Sequence, residues 1–258
     1  MSREASKTFI FLLKLPGMQK KNICLVHGWG TNTQKLEPLK EELEDLGWNV
    51  FLPKLPFFEL PEPQNPWGLK DFTRFIDSSA RKFFQNEPYT LFGHSLGGRI
   101  GLKMASEKDN RPQLNSLIIC AAAGVSRTNI IKRFFFKTVA KVFGPFKNVS
   151  PTKYILLKKI IYRLARASDY RQINSEIKKE TFRNIIEESL KSQALRIKIP
   201  TLILWGEQDK TTPVYDACYL HKNIAKSILK VFPDENHRLP YNQPKKIALE
   251  IDRWFKSQ

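Results

Sequence analysis

The chain has 258 residues, 41% of them hydrophobic, and its 43 Lys and Arg against 25 Asp and Glu give a formal charge of +18. That length and apolar share exclude a disordered chain and suit one α/β domain with an insertion, or at most two small domains. Three scattered cysteines and four histidines form neither a disulfide framework nor a metal-ligand spacing, so reduced thiols in a cytoplasmic setting are expected, with no metal and no cofactor.

Residues 1–21 read as an N-terminal extension or an added edge strand. Their apolar run Phe9–Leu13 stops at Lys14 without a small-residue cleavage site, too short for a membrane span. Asn22–Val26 is a short apolar run of the kind buried on both faces of a sheet, and it opens into the loop His27-Gly28-Trp29-Gly30. A helical pattern follows (Leu36, Leu39, Leu43, Leu46), stopped by Gly47, then a second strand Trp48–Leu52. A Pro-rich loop covers 57–67, and an amphipathic helix is expected over 67–84.

Tyr89–Phe92 then runs as a strand into Gly93-His94-Ser95-Leu96-Gly97, with a helix-permissive segment after it. A serine on a tight strand-to-helix turn stands clear of the sheet, and the glycines remove side chains that would collide across it. The following helix aims free N–H groups and the positive end of its dipole at an oxygen turning anionic beside Ser95. A Gly-rich turn of this kind also serves plain packing or phosphate binding, so the remainder of the chain has to decide. Leu114–Cys120, Thr201–Trp205 and Ser227–Phe232 read as further strands, Val214–Asn223 and Pro244–Phe255 as helices, and 234–240 as loop. Strands alternating with helices imply a mostly parallel sheet flanked by helices, an α/β fold whose sites collect at the carboxyl ends of the strands. Residues 22–124 and 196–258 would form this core. Residues 125–195 break the alternation with helical patterns at 130–143, 154–167 and 175–190, and are expected to form a cap over the strand ends.

Ser95 needs a base, because a free hydroxyl is barely nucleophilic at neutral pH. His237, in the loop after the last strand, is the candidate. His221 falls on a surface helix. His94, beside Ser95 on a turn that points it elsewhere, reads as structural, and His27 as a hydrogen bonder that fixes its loop. The base needs a carboxylate to set its tautomer. No acidic residue occurs from Leu114 until Asp169, which leaves Asp209 after the 201–205 strand, with Glu207 as its local competitor and an Asx turn as its alternative role. The backbone N–H groups of Leu96 and Trp29 are the candidate oxyanion donors. His27, Gly28, Trp29 and His94 border the expected substrate pocket.

HGWG (27–30), GHSLGG (93–98), WGEQDKTTP (205–213) and ENH (235–237) occur in the order that resembles the α/β-hydrolase fold family. The resemblance implies an acyl-enzyme mechanism in which Ser95, His237 and Asp209 cleave a carboxylic ester or thioester. The His-Gly-Trp-Gly loop with a Ser-Leu-Gly-Gly elbow is further similar to the serine carboxylesterases that cleave pimeloyl-carrier-protein methyl ester. Many members carry Gly before the histidine and a small or apolar residue after it, where this chain has Asn236 and Arg238. The segment 125–198 holds 18 of the Lys and Arg and 5 of the Asp and Glu. Such a basic cap would suit an acidic carrier protein or an anionic membrane surface, the latter through the apolar and basic stretch Ile130–Val139. The alternative function is therefore a scaffold with weak catalysis that binds through its cap. No nucleic-acid motif is present.

Overall fold

The computed structural model describes residues 20–107, 111–122, 124–125 and 173–258. The expected N-terminal edge strand and the expected helices at 130–143 and 154–167 lie outside the described residues, as does the Ile130–Val139 stretch.

The chain order is β1 (Asn22–Val26), α1 (Glu37–Asp45), β2 (Asn49–Phe51), α2 (Leu69–Phe83), β3 (Tyr89–His94), α3 (Leu96–Ser106) and β4 (Leu114–Cys120). After the segment that enters between β4 and β5 come α4 (Glu176–Glu187), α5 (Lys191–Ala194), β5 (Thr201–Gly206), α6 (Val214–Asn223), β6 (Ser227–Phe232), α7 (Leu239–Asn242) and α8 (Pro244–Lys256). The six strands make one sheet in the order β2-β1-β3-β4-β5-β6, and every pairing is parallel. The expected α/β class with a parallel sheet flanked by helices is therefore what the chain forms.

All residues of β1, β3 and β5 are buried, which is why they read as unbroken apolar runs rather than alternating ones. The edge strand β6 alternates partly exposed and exposed positions until Phe232. Helix α1 packs on α8, and α2 packs on α3. Asp252 of α8 pins the lower end of the sheet. It accepts from Lys21 Nζ at 2.7 Å and from the Trp48 indole at 3.1 Å. One local expectation gives way: the loop expected through 240 ends earlier. Pro240 sits in the first turn of α7, where its fixed φ suits a helix start and its missing N–H is no loss.

Parallel strands send their carboxyl ends the same way. The loop after β1, the turn after β3, and the loops after β5 and β6 therefore gather at one edge. Helix α4 is tied to that edge through α3. Arg99, buried with 3% of its surface exposed, donates to Ile185 O and, at 2.6 Å, to Glu188 O. Lys103 pairs with the Glu188 carboxylate at 2.6 Å, and Leu190 N donates to Gly124 O.

The turn after β3 is packed backbone on backbone. A Cβ at Gly93 would fall closer than 3.0 Å to Gly97 O, and a Cβ at Gly97 closer than 3.0 Å to Val26 O. Neither obstacle is the end of a flexible side chain, so neither can step aside. Gly97→Ala should therefore cost at least about 3 kcal/mol of unfolding free energy. Urea denaturation checks this, and an unchanged midpoint would contradict the packing.

Candidate functional site

Ser95 lies at φ 53° and ψ −105°, a conformation that L-residues avoid and that surrounding contacts must impose. Its N–H donates to Cys120 O at 3.0 Å, which stitches the turn to the end of β4. Leu96 is the first residue of α3, so its N–H has no partner within the helix. The loop after β1 presses on the same turn. A Cβ at Gly28 would meet the Ser95 Cβ at 3.2 Å, a tight approach, so the backbone leading to Trp29 runs close to the serine.

Asp209 and His237 meet across the ends of β5 and β6. His237 Nδ1 lies 2.7 Å from Asp209 Oδ2. The other carboxylate oxygen accepts from Thr211 N at 2.7 Å and Thr212 N at 2.8 Å. Asp209 thus makes the Asx-type turn and the histidine contact at once. Thr212 Oγ1 adds a bond of 2.7 Å to Oδ2, and the Trp205 indole donates to Thr212 O at 2.8 Å to hold the loop from beneath. Burial alone would raise the Asp209 pKa. The His237 hydrogen bond and charge, with the Thr212 donors, outweigh that and hold it below the ordinary carboxylate value. Glu207 points out to solvent. The two loops are also joined by backbone, Gln208 N to Glu235 O at 2.9 Å, and any side chain at Gly206 would collide with Glu235 O.

His94 connects the serine turn to the histidine loop. Its Nε2 lies 2.8 Å from His237 O and its Nδ1 2.8 Å from Tyr241 OH. A carbonyl only accepts, so Nε2 carries the hydrogen, and Nδ1 accepts from the Tyr241 hydroxyl. Burial, reinforced by the neighbouring His237, lowers the His94 pKa to about 3, so the ring is neutral across the working range. His27 is buried completely, with Nδ1 2.8 Å from Gly28 O. Both rings, expected beside the substrate, direct their nitrogens at protein groups and brace the loops that carry Trp29 and Ser95. His221 is exposed and bonds Ser227 Oγ. Trp29 is partly buried between Phe58, with ring centroids 5.0 Å apart, and Phe182 of α4, at 4.9 Å. Among the described residues no cluster of His, Cys, Asp and Glu could hold a metal ion.

The model for the alpha/beta hydrolase fold matches residues 21–244. The chain belongs to that family. A monoacylglycerol lipase of Bos taurus is 31% identical over 262 residues, covering 90% of this chain and 74% of the lipase. A pimeloyl-acyl-carrier-protein methyl ester esterase of Neisseria meningitidis is 22% identical over 227 residues, covering 84% of this chain and 86% of the esterase. The structure of an esterase from Exiguobacterium antarcticum superposes with a TM-score of 0.69 at 19% identity, over 92% of each chain. The hydrolase fold is thus shared well beyond the range of close sequence similarity.

Thr212, Tyr241 and the His94 bridge were not singled out from sequence. Thr212 carried a weak signal, a hydroxyl three residues past a turn aspartate. Tyr241 carried none, since its partner lies 147 positions away.

The neutral His94 has a consequence for acid stability. Its unfolded-state pKa is near 6.5 and its folded value about 3, so the unfolded chain binds the extra proton first. Stability should fall as pH drops below 6.5, with a slope of up to about 1.4 kcal/mol per pH unit, levelling near pH 3. Urea titrations across that range should show a shallower slope for His94→Gln than for the unaltered chain. Equal slopes would mean that His94 does not carry the effect.

Proposed function

We propose that the protein is a serine hydrolase that cleaves carboxylic esters through an acyl-enzyme. Membership of the family, together with an esterase and a lipase among its relatives, supports ester-bond hydrolysis. The single observation that carries the mechanism is the 2.7 Å contact of His237 Nδ1 with Asp209 Oδ2, made from the loops after β5 and β6 while Ser95 stands on the turn after β3.

With Nδ1 donating to Asp209, Nε2 of His237 is free to act as base. It takes the Ser95 proton as Oγ attacks the ester carbonyl, and the carbonyl π electrons move onto oxygen. The N–H groups of Leu96 and Trp29 stabilise this oxyanion. Collapse re-forms the C=O and expels the alcohol, which takes its proton from His237. Water then repeats the sequence on the acyl-enzyme and frees Ser95 and the acid. Asp209 stays ionised throughout and stabilises the imidazolium. The same steps apply to a thioester with a thiol leaving group.

The aromatic wall of Trp29, Phe58 and Phe182 favours an apolar acyl group on the substrate. Segment 125–195 supplies Phe182 through α4 and would act as the cap. An acidic carrier protein attached to the acyl group would be complementary to its basic charge. The binding-scaffold alternative gains no specific support: a scaffold has no use for a buried carboxylate aligned on a histidine ring.

Ser95→Ala should lower kcat for p-nitrophenyl butyrate by about 10⁴-fold or more, and Asp209→Asn by about 10⁴-fold. Both should leave the unfolding midpoint within about 1 kcal/mol of the unaltered protein, or the comparison is void of catalytic meaning. Undiminished turnover by folded Ser95→Ala would end the proposal.

A further inference from the structure

The loop that carries Trp29 is held by a group outside the catalytic set. Phe57 adopts φ 72°, a left-handed conformation that a bulky side chain accepts only when its surroundings enforce it. The enforcement comes from α4. Lys178 Nζ donates to Phe57 O at 2.5 Å and sits 4.8 Å from the centroid of the Phe58 ring. The strained turn presents two side chains to the loop after β1. The Phe58 ring meets His27 edge-on at 5.5 Å and Trp29 at 5.0 Å. Glu59 places Oε1 2.6 Å from Thr33 Oγ1, which donates to it, and Oε2 3.4 Å from His27 Nε2.

Proton accounting at that last contact has one solution. His27 Nδ1 faces Gly28 O at 2.8 Å, and a carbonyl only accepts, so Nδ1 carries a hydrogen. The Thr31 hydroxyl donates to the same carbonyl at 2.9 Å, which leaves its oxygen as a second acceptor for Nδ1–H. Nε2 is then either bare or doubly protonates the ring. It is buried, as is Glu59 Oε2 at 3.4 Å, and neither atom has a hydrogen-bond partner. A bare Nε2 against an ionised Oε2 would set two lone pairs face to face away from water, at the full penalty for buried unsatisfied acceptors. One proton between them turns that repulsion into a bond, N–H to carboxylate or O–H to imidazole.

We infer that His27 and Glu59 hold one shared proton, and that Glu59 is through it a positioning residue for the Trp29 N–H beside Ser95. Burial lowers the His27 pKa overall, against the Gly28 carbonyl and the Glu59 carboxylate, which raise it. The chain of contact runs from Lys178 on α4 through the Phe57 turn to Glu59, His27 and the oxyanion loop. The loop's geometry therefore depends on the inserted segment as well as on the sheet.

The role assigned to Glu59 rests on the serine-hydrolase reading, and the test separates the two. Glu59→Gln keeps an N–H that can donate to Nε2, whereas Glu59→Ala leaves Nε2 bare. Glu59→Ala should lower kcat for p-nitrophenyl acetate by about 10- to 100-fold with KM changed less than threefold, because an oxyanion donor acts in the transition state. Glu59→Gln should restore kcat to within about threefold of the unaltered protein. The ¹⁵N resonance of His27 Nε2 should be that of a protonated or strongly hydrogen-bonded nitrogen in the unaltered protein, and that of a free ring nitrogen in Glu59→Ala. A free-nitrogen resonance in the unaltered protein, or full kcat in folded Glu59→Ala, overturns the inference. If Glu59→Ala does not fold, the resonance of the unaltered protein and the kcat of Glu59→Gln still decide it. Ser95→Ala measured alongside shows which idea has failed: full activity there removes the serine mechanism, whereas its loss with Glu59→Ala unimpaired removes only the role of Glu59.

Discussion

The close approach of backbone at the Ser95 turn is the constraint on which the rest of the site depends. Gly93 touches Gly97 across the turn, and Gly97 touches the Val26 carbonyl of β1. These contacts leave no slack, so the serine is held in its strained φ, ψ pair while α3 starts immediately behind it. The same tightness sets the position of the neighbouring loop. Gly28 lies close against the side chains of His94 and Ser95, where a Cβ would meet both at 3.2 Å. A serine on a looser turn would gain conformational freedom and lose its fixed relation to Leu96 N–H and to the loop after β1.

His237 is constrained from two directions. Asp209 holds the ring at Nδ1, and His94 holds the backbone carbonyl of the same residue. The second contact is made by the residue next to the serine, so the His237 loop and the Ser95 turn are linked by one neutral side chain. Tyr241 sets the tautomer that makes the link possible. The acid loop is fixed in a similar layered way, by Thr212 on the carboxylate and Trp205 beneath Thr212. The two loops thus have supports behind them, of which His94, Thr212 and Trp205 are buried, where a hydrogen bond is stronger and a missing partner more damaging.

The strands, their parallel arrangement and the residues after their ends were legible in the sequence because each is a local signal. Buried parallel strands are apolar runs, a tight turn needs glycine, and loops after strands converge in a doubly covered sheet. The supports outside the acid loop were not legible, for one physical reason: each is a contact between residues far apart in sequence, brought together only by folding. Glu59 lies in a Pro-rich loop with nothing nearby to mark it, and its partner is 32 positions earlier. Tyr241 lies just past the loop expected over 234–240, in the one-turn helix α7 that opens with Leu-Pro. His27 was read as a hydrogen bonder that fixes its loop and His94 as structural, yet their sequence neighbours gave no indication of which atoms they would meet.

The proposed mechanism requires one activated nucleophile, at Ser95, in a site for an apolar acyl group. Treating the protein with an alkyl fluorophosphonate and mapping the modified peptide by mass spectrometry tests this most directly. A single adduct on the peptide that contains Ser95, blocked when a short-chain ester is present in excess, is the predicted result. No adduct, or one at another residue with Ser95 unmodified, would contradict the central claim.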